Sequence, residues 1–353
     1  MNVKALLVSA LLTLAPPVLA QGFAGLGSES DGFAVPQAGT ALEFPRDHLP
    51  HPAYRIEWWY LTANLTGPDG TPYGAQWTLF RSALRPEDGV GWDTPQLWMG
   101  HAAVTTPDAH HVGERLARGG IGQAGVTAGP FEAYIDDWAL RSIATVGDPL
   151  GGLAVTARGA DFAYDLTLNA TGPLLLQGDA GYSVKSPEGQ ASYYYSQPGY
   201  AVTGTLSLPG GPVEVTGQAW LDREWSSQPL AQDQTGWDWF SLHFASGAKL
   251  MGFGLRSRDG GHFTSATWVA ADGTVTAYGD GALQMEPLET ATVAGREVPV
   301  AWRLRLPAQG VSVETQAVNP QSWMDTLFPY WEGPIRFSGS HEGRGYLEMT
   351  GYD

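Results

Sequence analysis

Cysteine is absent, and lysine occurs three times, at Lys4, Lys185 and Lys249. The first absence excludes disulfides, thiolate zinc sites, cysteine nucleophiles and a cysteine-linked lipid anchor. The second excludes an extended basic patch. Nineteen lysines and arginines stand against 36 aspartates and glutamates, a net charge of −17. Such a surface repels nucleic acid and anionic membranes, so neither is expected as a partner. Beyond residue 20 no run approaches the ~18 uncharged apolar residues of a helical span, so no membrane insertion is expected of the mature chain. No glycine-rich phosphate loop follows a strand, and no Gly-x-Ser-x-Gly elbow or His-Glu-x-x-His pair occurs; in Gly339-Ser340-His341-Glu342-Gly343 the serine comes one place early. His48 and His51 beside Asp47 have metal-ligand chemistry but sit in a proline-flanked loop, and no metal is expected there. A function without cofactor is favoured.

The chain begins with a leader pattern. One charge at Lys4 precedes the apolar run Ala5–Leu14, and Val18-Leu19-Ala20 places small residues before a cleavage point. A signal peptide over 1–20, cut after Ala20, is expected, and with it a periplasmic or secreted protein whose residues 21–40 form an extension.

What remains reads as β almost throughout. The chain has 353 residues, 46 of them glycine and 25 proline. At roughly 150 residues per domain this suits two domains. Six Asp-Gly pairs, beginning at Asp31, Asp69, Asp88, Asp259, Asp272 and Asp280, punctuate short segments rich in β-branched and aromatic residues, a hairpin signal. Strands are expected over Tyr54–Leu65, Ala75–Ser82, Leu97–Thr106 and Trp237–Phe244 among others, and a short helix over Val112–Gly122. The fold class is all-β, as sandwiches or up-and-down barrels. A domain boundary is placed at 215, giving domains 41–214 and 215–353.

Forty aromatic residues, 14 of them tryptophan, imply large covered surfaces. Alternation along Tyr54–Tyr60 puts Trp58 and Tyr60 on one face and Glu57 and Trp59 on the other. Glu57 is then either in a buried ion pair that fixes a barrel corner or a polar group in a pocket. In Trp220–Trp225, Asp222 and Glu224 share a face, about 7 Å apart, opposite Arg223 and Trp225. They could serve as acid and base or as an inter-domain salt-bridge cluster. Trp237, Trp239 and His243 share a face of the next segment. His243 and His101 are each either a polar group in a pocket or a satisfied core histidine. The candidate proton-transfer set is Glu57, Asp222, Glu224 and His243. The candidate ligand-binding set is Trp58, Trp59, Tyr60, His101, Arg223, Trp225, Trp237 and Trp239.

Several motifs resemble the AttH-like and carotenoid 1,2-hydratase family. They are Phe44-Pro45-Arg46-Asp47-His48, Glu57-Trp58-Trp59-Tyr60, Trp98-Met99-Gly100-His101, Asp136-Asp137-Trp138, Trp220–Trp225, Gly236–Phe240, Tyr330-Trp331-Glu332-Gly333-Pro334 and Gly345-Tyr346-Leu347-Glu348. The resemblance covers about 44–352. It implies two lipocalin-like antiparallel β-barrel domains, relatives that include hydratases and cyclase-like enzymes, and exported members that accompany transport components. The hydratases carry histidine where Arg223 stands and an acid some 25 residues later, where Leu250–Leu255 offers none; only Trp225 matches. Three functions are weighed: an exported protein that holds an apolar isoprenoid or lipid-like molecule in an aromatic cavity, a cofactor-free hydratase or cyclase acting on a C=C bond (a hydro-lyase), and a glycan-binding or glycan-hydrolysing protein.

Overall fold

The computed structural model describes residues 30–87, 89–228 and 230–352. The leader over 1–20 and residues 21–29 of the 21–40 extension lie outside the described residues. The first antiparallel sheet takes β1 (Ile56–Thr66), β2 (Pro72–Ala83), β3 (Gln96–Thr105), β4 (His110–Arg118), β5 (Ala124–Ala128), β6 (Phe131–Ile135), β7 (Trp138–Ser142), β8 (Gly152–Arg158), β9 (Ala163–Ala170), β10 (Leu175–Leu176), β11 (Tyr182–Val184), β12 (Ala191–Leu208) and β13 (Gly211–Ser226). The second takes β14 (Gln234–Phe244), β15 (Lys249–Ser257), β16 (His262–Val269), β17 (Val275–Tyr278), β18 (Gln284–Val293), β19 (Arg296–Leu306), β20 (Val311–Ala317), β21 (Trp323–Met324), β22 (Tyr330–Gly339) and β23 (Gly343–Met349). The sheets curl into a barrel and a half-barrel, the two lipocalin-like domains of an all-β protein.

Turn chemistry sets the hairpins. Between β1 and β2, Gly70 has φ +84° while Asp69 accepts a bond from the Thr71 amide at 2.9 Å. Asp272-Gly273 does the same between β16 and β17. In the spatial order of the first sheet, β1 lies between β2 and β13, although β13 follows it by some 150 residues of sequence. Sheet membership changes between Ser226 and Gln234, beyond the expected 215, because β13 pairs with β1 along its whole C-terminal half.

The expected helix over 112–122 is instead β4, laddered to β3 with Trp98 opposite Ala117 and His101 opposite Glu114. Gly113 explains the difference. A Cβ there would sit 3.1 Å from Trp138, which reaches across from β7 as the sheet closes on itself. The glycine that weakens a helix is the one this closure needs. His110 and His111 open the same strand.

Each barrel has its own core. Trp59, Trp77, Trp138 and Trp225 belong to the first, and Phe240, Trp302, Trp331 and Leu347 to the second. A third apolar cluster, including Tyr60, Tyr194, Trp220, Trp239, Phe253 and Tyr346, joins the sheets. Where β2 meets β22, a Cβ on Gly74 would fall 2.6 Å from Pro334 Cδ, so the contact requires glycine.

Candidate functional site

Register decides which side chains reach the space between the sheets. On β1 and β13, Tyr60 pairs with Asp222 and Trp58 with Glu224. These four face the second sheet. The alternate pairs, Trp59 with Arg223 and Glu57 with Trp225, point into the first barrel. Continuing sideways, Ser196, Asp222, Tyr60, Thr78, His101 and Glu114 form one row across six strands. The second sheet opposes it with the shorter row Trp239, Glu348, Glu332.

Between the rows lies a cavity of about 420 Å³. Trp58, Phe80, Trp98, Trp237, Trp239 and Phe253 supply apolar walls, and Asp222, Glu224, Glu348, Tyr60, Tyr194 and His101 supply the polar groups. Seven of the twelve sequence candidates therefore converge on it: Trp58, Tyr60, His101, Asp222, Glu224, Trp237 and Trp239.

Asp222 receives hydrogen bonds from Tyr194 Oη (2.6 Å), Ser196 Oγ (2.5 Å) and Trp220 Nε1 (2.6 Å). Trp239 Nε1 in turn donates to Tyr194 Oη at 3.1 Å. Burial pushes the Asp222 carboxyl up to about 7, and the three donors moderate that rise. Glu224 is paired with Lys185 Nζ at 2.8 Å and bonded by Ser192. Lys185 also lies 4.2 Å from the Phe253 ring centre, a cation–π contact. Glu348 is pushed up to about 7 by burial, moderated by Trp237 Nε1, which donates to it, and raised further by the charges of Asp222 and Glu224. Glu332, directly across the ladder from Glu348, stands well above the usual carboxylate range because it is wholly buried and faces that neighbour. The walls thus hold two carboxylic acids, Asp222 and Glu348, that burial brings to titrate close to neutral pH.

The other candidates lie elsewhere. Glu57 is a barrel-corner ion pair: its carboxylate accepts bonds from Arg81 and Arg223 and from the His51 amide at 2.9 Å. Burial alone would raise it, but Arg223, Arg81 and His51 outweigh burial and hold it well below the usual range. It is not a proton donor at neutral pH. Arg223 lies under the Trp59 ring at 3.8 Å and 5.1 Å from Trp225, while His51 stacks on Trp225 at 4.0 Å. Trp59, Arg223 and Trp225 therefore serve this cluster rather than the cavity. His243 shares a strand face with Trp237 and Trp239 but sits beyond the cavity, where Nε2 donates to the Pro198 carbonyl at 2.9 Å. Burial lowers its pKa to about 4, so it is a neutral core histidine.

Glu332, Glu348, Tyr194, Tyr330 and Lys185 are not among the twelve sequence candidates, although Tyr330, Glu332 and Glu348 stand in the family motifs. The available signal was alternation on β22 and β23, where Tyr330 and Glu332, and Tyr346 and Glu348, lie on faces opposite the core residues Trp331, Leu347 and Met349. Among the described residues, no group of three His, Asp or Glu side chains is arranged to hold a metal ion.

Comparison with known proteins places this geometry. A solved AttH protein from Nitrosomonas europaea superposes with a TM-score of 0.80 at 33% identity, covering 91% of this chain and all of the other. Kievitone hydratase from Nectria haematococca (TM-score 0.68, 18% identity, 92% and 97% covered) and CghA in complex with Sch210972 (0.58, 14%, 92% and 97%) share the fold. No curated protein sequence matches significantly. The AttH-like family model matches residues 35–352, a span that takes in both sheets and every wall of the cavity, and the chain belongs to the AttH-like family.

Proposed function

We propose that the protein takes up an apolar small molecule, isoprenoid- or lipid-like, in the cavity between its sheets, and that it does so after export and removal of residues 1–20. The observation that carries this reading is the cavity itself: about 420 Å³ with tryptophan and phenylalanine walls and few polar groups. Ligand sites are typically apolar clefts of this order, and each Å² of apolar ligand surface removed from water contributes about 25 cal/mol. A sugar would need a denser set of polar partners than these walls supply, so the glycan reading ranks below. Titration with farnesol, palmitate and β-carotene, followed by tryptophan fluorescence, is expected to give a saturable quench or shift with at least one. Trp58→Ala should weaken that binding by about tenfold, through lost ring contact. Silence with all three ligands sinks the proposal.

A second reading is favoured by Asp222, an acid poised at about 7 inside an aromatic cavity. Proton transfer to a C=C bond leaves a carbocation, which tryptophan faces stabilise. The fold is shared with a protein named as a hydratase. On this reading Asp222→Asn is expected to lower turnover of an isoprenoid alkene by a hundredfold or about that, while the fluorescence titration stays unchanged. Full turnover in that variant removes Asp222 from the reaction.

A further inference from the structure

The polar and apolar groups of the cavity are segregated. One row of side chains crosses the first sheet as Tyr194, Glu224, Trp58, Phe80, Met99 and Leu116, on β12, β13, β1, β2, β3 and β4 in turn. All six line the cavity. The row starts buried, with Glu224 5% exposed, and ends in solvent, with Leu116 54% exposed. Neighbouring strands stand about 4.8 Å apart, so roughly 19 Å separates these two ends. From Phe80 onward the row carries no charge and no hydrogen-bond donor. Two more exposed leucines, Leu97 and Leu327, extend the apolar end. The polar groups on that side have partners: His101 bonds Tyr330 and Glu114, and Gln76 donates to Thr78. The buried end is acidic. Asp222, Glu224 and Glu348 line it together with Lys185, and Lys185 Nζ is paired with Glu224 Oε1 at 2.8 Å. The same ammonium lies 4.8 and 4.2 Å from the Tyr194 and Phe253 ring centres. Arg55, the other permanent cation of the lining, sits before β1, where Nε donates to the Ser227 carbonyl at 3.1 Å. A carboxylate entering this end must displace Glu224 from Lys185 and stand among three acids. A group that donates a hydrogen bond displaces nothing. Glu224 Oε1 takes the bonds from Lys185 and Ser192, and Oε2 takes none among the described residues.

We propose that the ligand is an amphiphile held head inward: a hydroxyl or ammonium group donates to Glu224 Oε2, and an apolar tail lies over Trp58, Phe80 and Met99 as far as the rim at Leu116. This rests on the apolar-ligand reading above and narrows it from oily molecules at large to alcohols and amines. The Lys185–Glu224 pair acts as the selector. It presents an acceptor to a donating head, and it keeps its one cation occupied, so an anionic head finds repulsion without a partner. The exposed leucines of the rim gain a role as well. The outer end of the tail covers them, and both surfaces leave water.

The test titrates four probes of similar length at pH 7, read by tryptophan fluorescence: undecan-1-ol, its isomer 1-methoxydecane, undecan-1-amine and undecanoate. The ether matches the alcohol in size, lacks the donor and is less soluble in water, so partition alone would favour it. The alcohol is expected to bind about tenfold tighter than the ether, the worth of one hydrogen bond to a charged acceptor. The amine should bind at least as tightly as the alcohol, and undecanoate about tenfold more weakly or worse. Glu224→Gln frees Lys185 and should reverse the order, with undecanoate now tighter than undecan-1-ol. Adding Lys185→Met should cancel that gain. In the native protein, an ether or an undecanoate that matches the alcohol overturns the proposal, whether or not the variants fold. Continued exclusion of undecanoate by folded Glu224→Gln overturns the placement of the head at Glu224. Silence with all four probes sinks the apolar-ligand reading itself, whereas equal binding of all four sinks only the head-group assignment.

Discussion

Replacing Glu57 with glutamine is expected to cost about 3–5 kcal/mol of folding stability, the scale seen when one partner of a buried ion pair is removed. Glutamine keeps the shape and removes the charge. It leaves the guanidiniums of Arg81 and Arg223, each only 1% exposed, facing each other with no counter-charge. Their remaining contacts are dipoles: Arg81 Nη2 donates to the His51 and Tyr54 carbonyls at 2.9 and 2.7 Å, and Arg223 Nη2 to the Leu49 carbonyl at 2.8 Å. Those bonds are also what tie the segment before β1 to the barrel, so the loss should spread to residues 44–55. Urea denaturation at pH 7 measures it. A cost below about 1 kcal/mol, the range of exposed pairs, would show that water reaches the cluster. Partial recovery in Glu57→Gln with Arg223→Met would identify the unpaired guanidinium as the cause, since apolar replacement of a whole buried pair is often tolerated.

The same cluster explains how far the sequence could be read. Alternation gave the faces of β1 and β13 correctly: Trp58, Tyr60, Asp222 and Glu224 to one side, Glu57, Trp59, Arg223 and Trp225 to the other. Parity cannot say which side holds the cavity, because both faces carry aromatic rings and carboxylates. Arg81 decides it. It lies opposite Glu57 on β2 and turns that face into a charge-compensated barrel interior, a fact that depends on strand register. His243 shows the related limit. It keeps the parity of Trp237 and Trp239, yet a strand rises about 3.3 Å per residue, and four residues past Trp239 the cavity has ended. Glu332 and Glu348 were hidden for a third reason. Each belongs to a short segment of β22 and β23, and only pairing across the ladder makes two ordinary surface-type residues into a buried acid pair. Val112–Gly122 misled because its glycine serves a ring from a distant strand.

The buried acids make a pH prediction of comparable size. Asp222 and Glu348 titrate near 7 in the folded protein, against ordinary values of 3.8 and 4.5. Between those limits the folded state holds protons that the unfolded chain releases. Their contribution is therefore fully present below about pH 4 and is lost as pH rises through about 7, at on the order of 1.4 kcal/mol per pH unit per group. Asp238 and Glu332, also raised by burial, act in the same direction. Burial keeps His101, His110 and His243 neutral in the fold. They oppose this trend below their ordinary 6.5, where unfolding lets them take up protons. Glu57 and Asp47, both held low, lose their contribution only below the ordinary carboxylate range. The opposing groups largely offset one another up to about pH 6.5, and only the raised acids titrate above it, so native stability is expected to decline from there towards pH 8. A difference curve isolates the cause. Asparagine mimics the protonated acid, so Asp222→Asn should gain stability relative to the native protein as pH rises from about 4 to 7, by on the order of 4 kcal/mol in total, and then hold that gain. Because Asp222 and Glu348 repel each other's charge, the pair titrates together, and Asp222→Asn should also make Glu348 easier to ionise. Denaturation midpoints of both proteins across pH 4–8 provide the measurement. A difference that stays flat with pH would mean that Asp222 is ionised in the fold at every pH, and that the cavity holds charge where an oily ligand needs none.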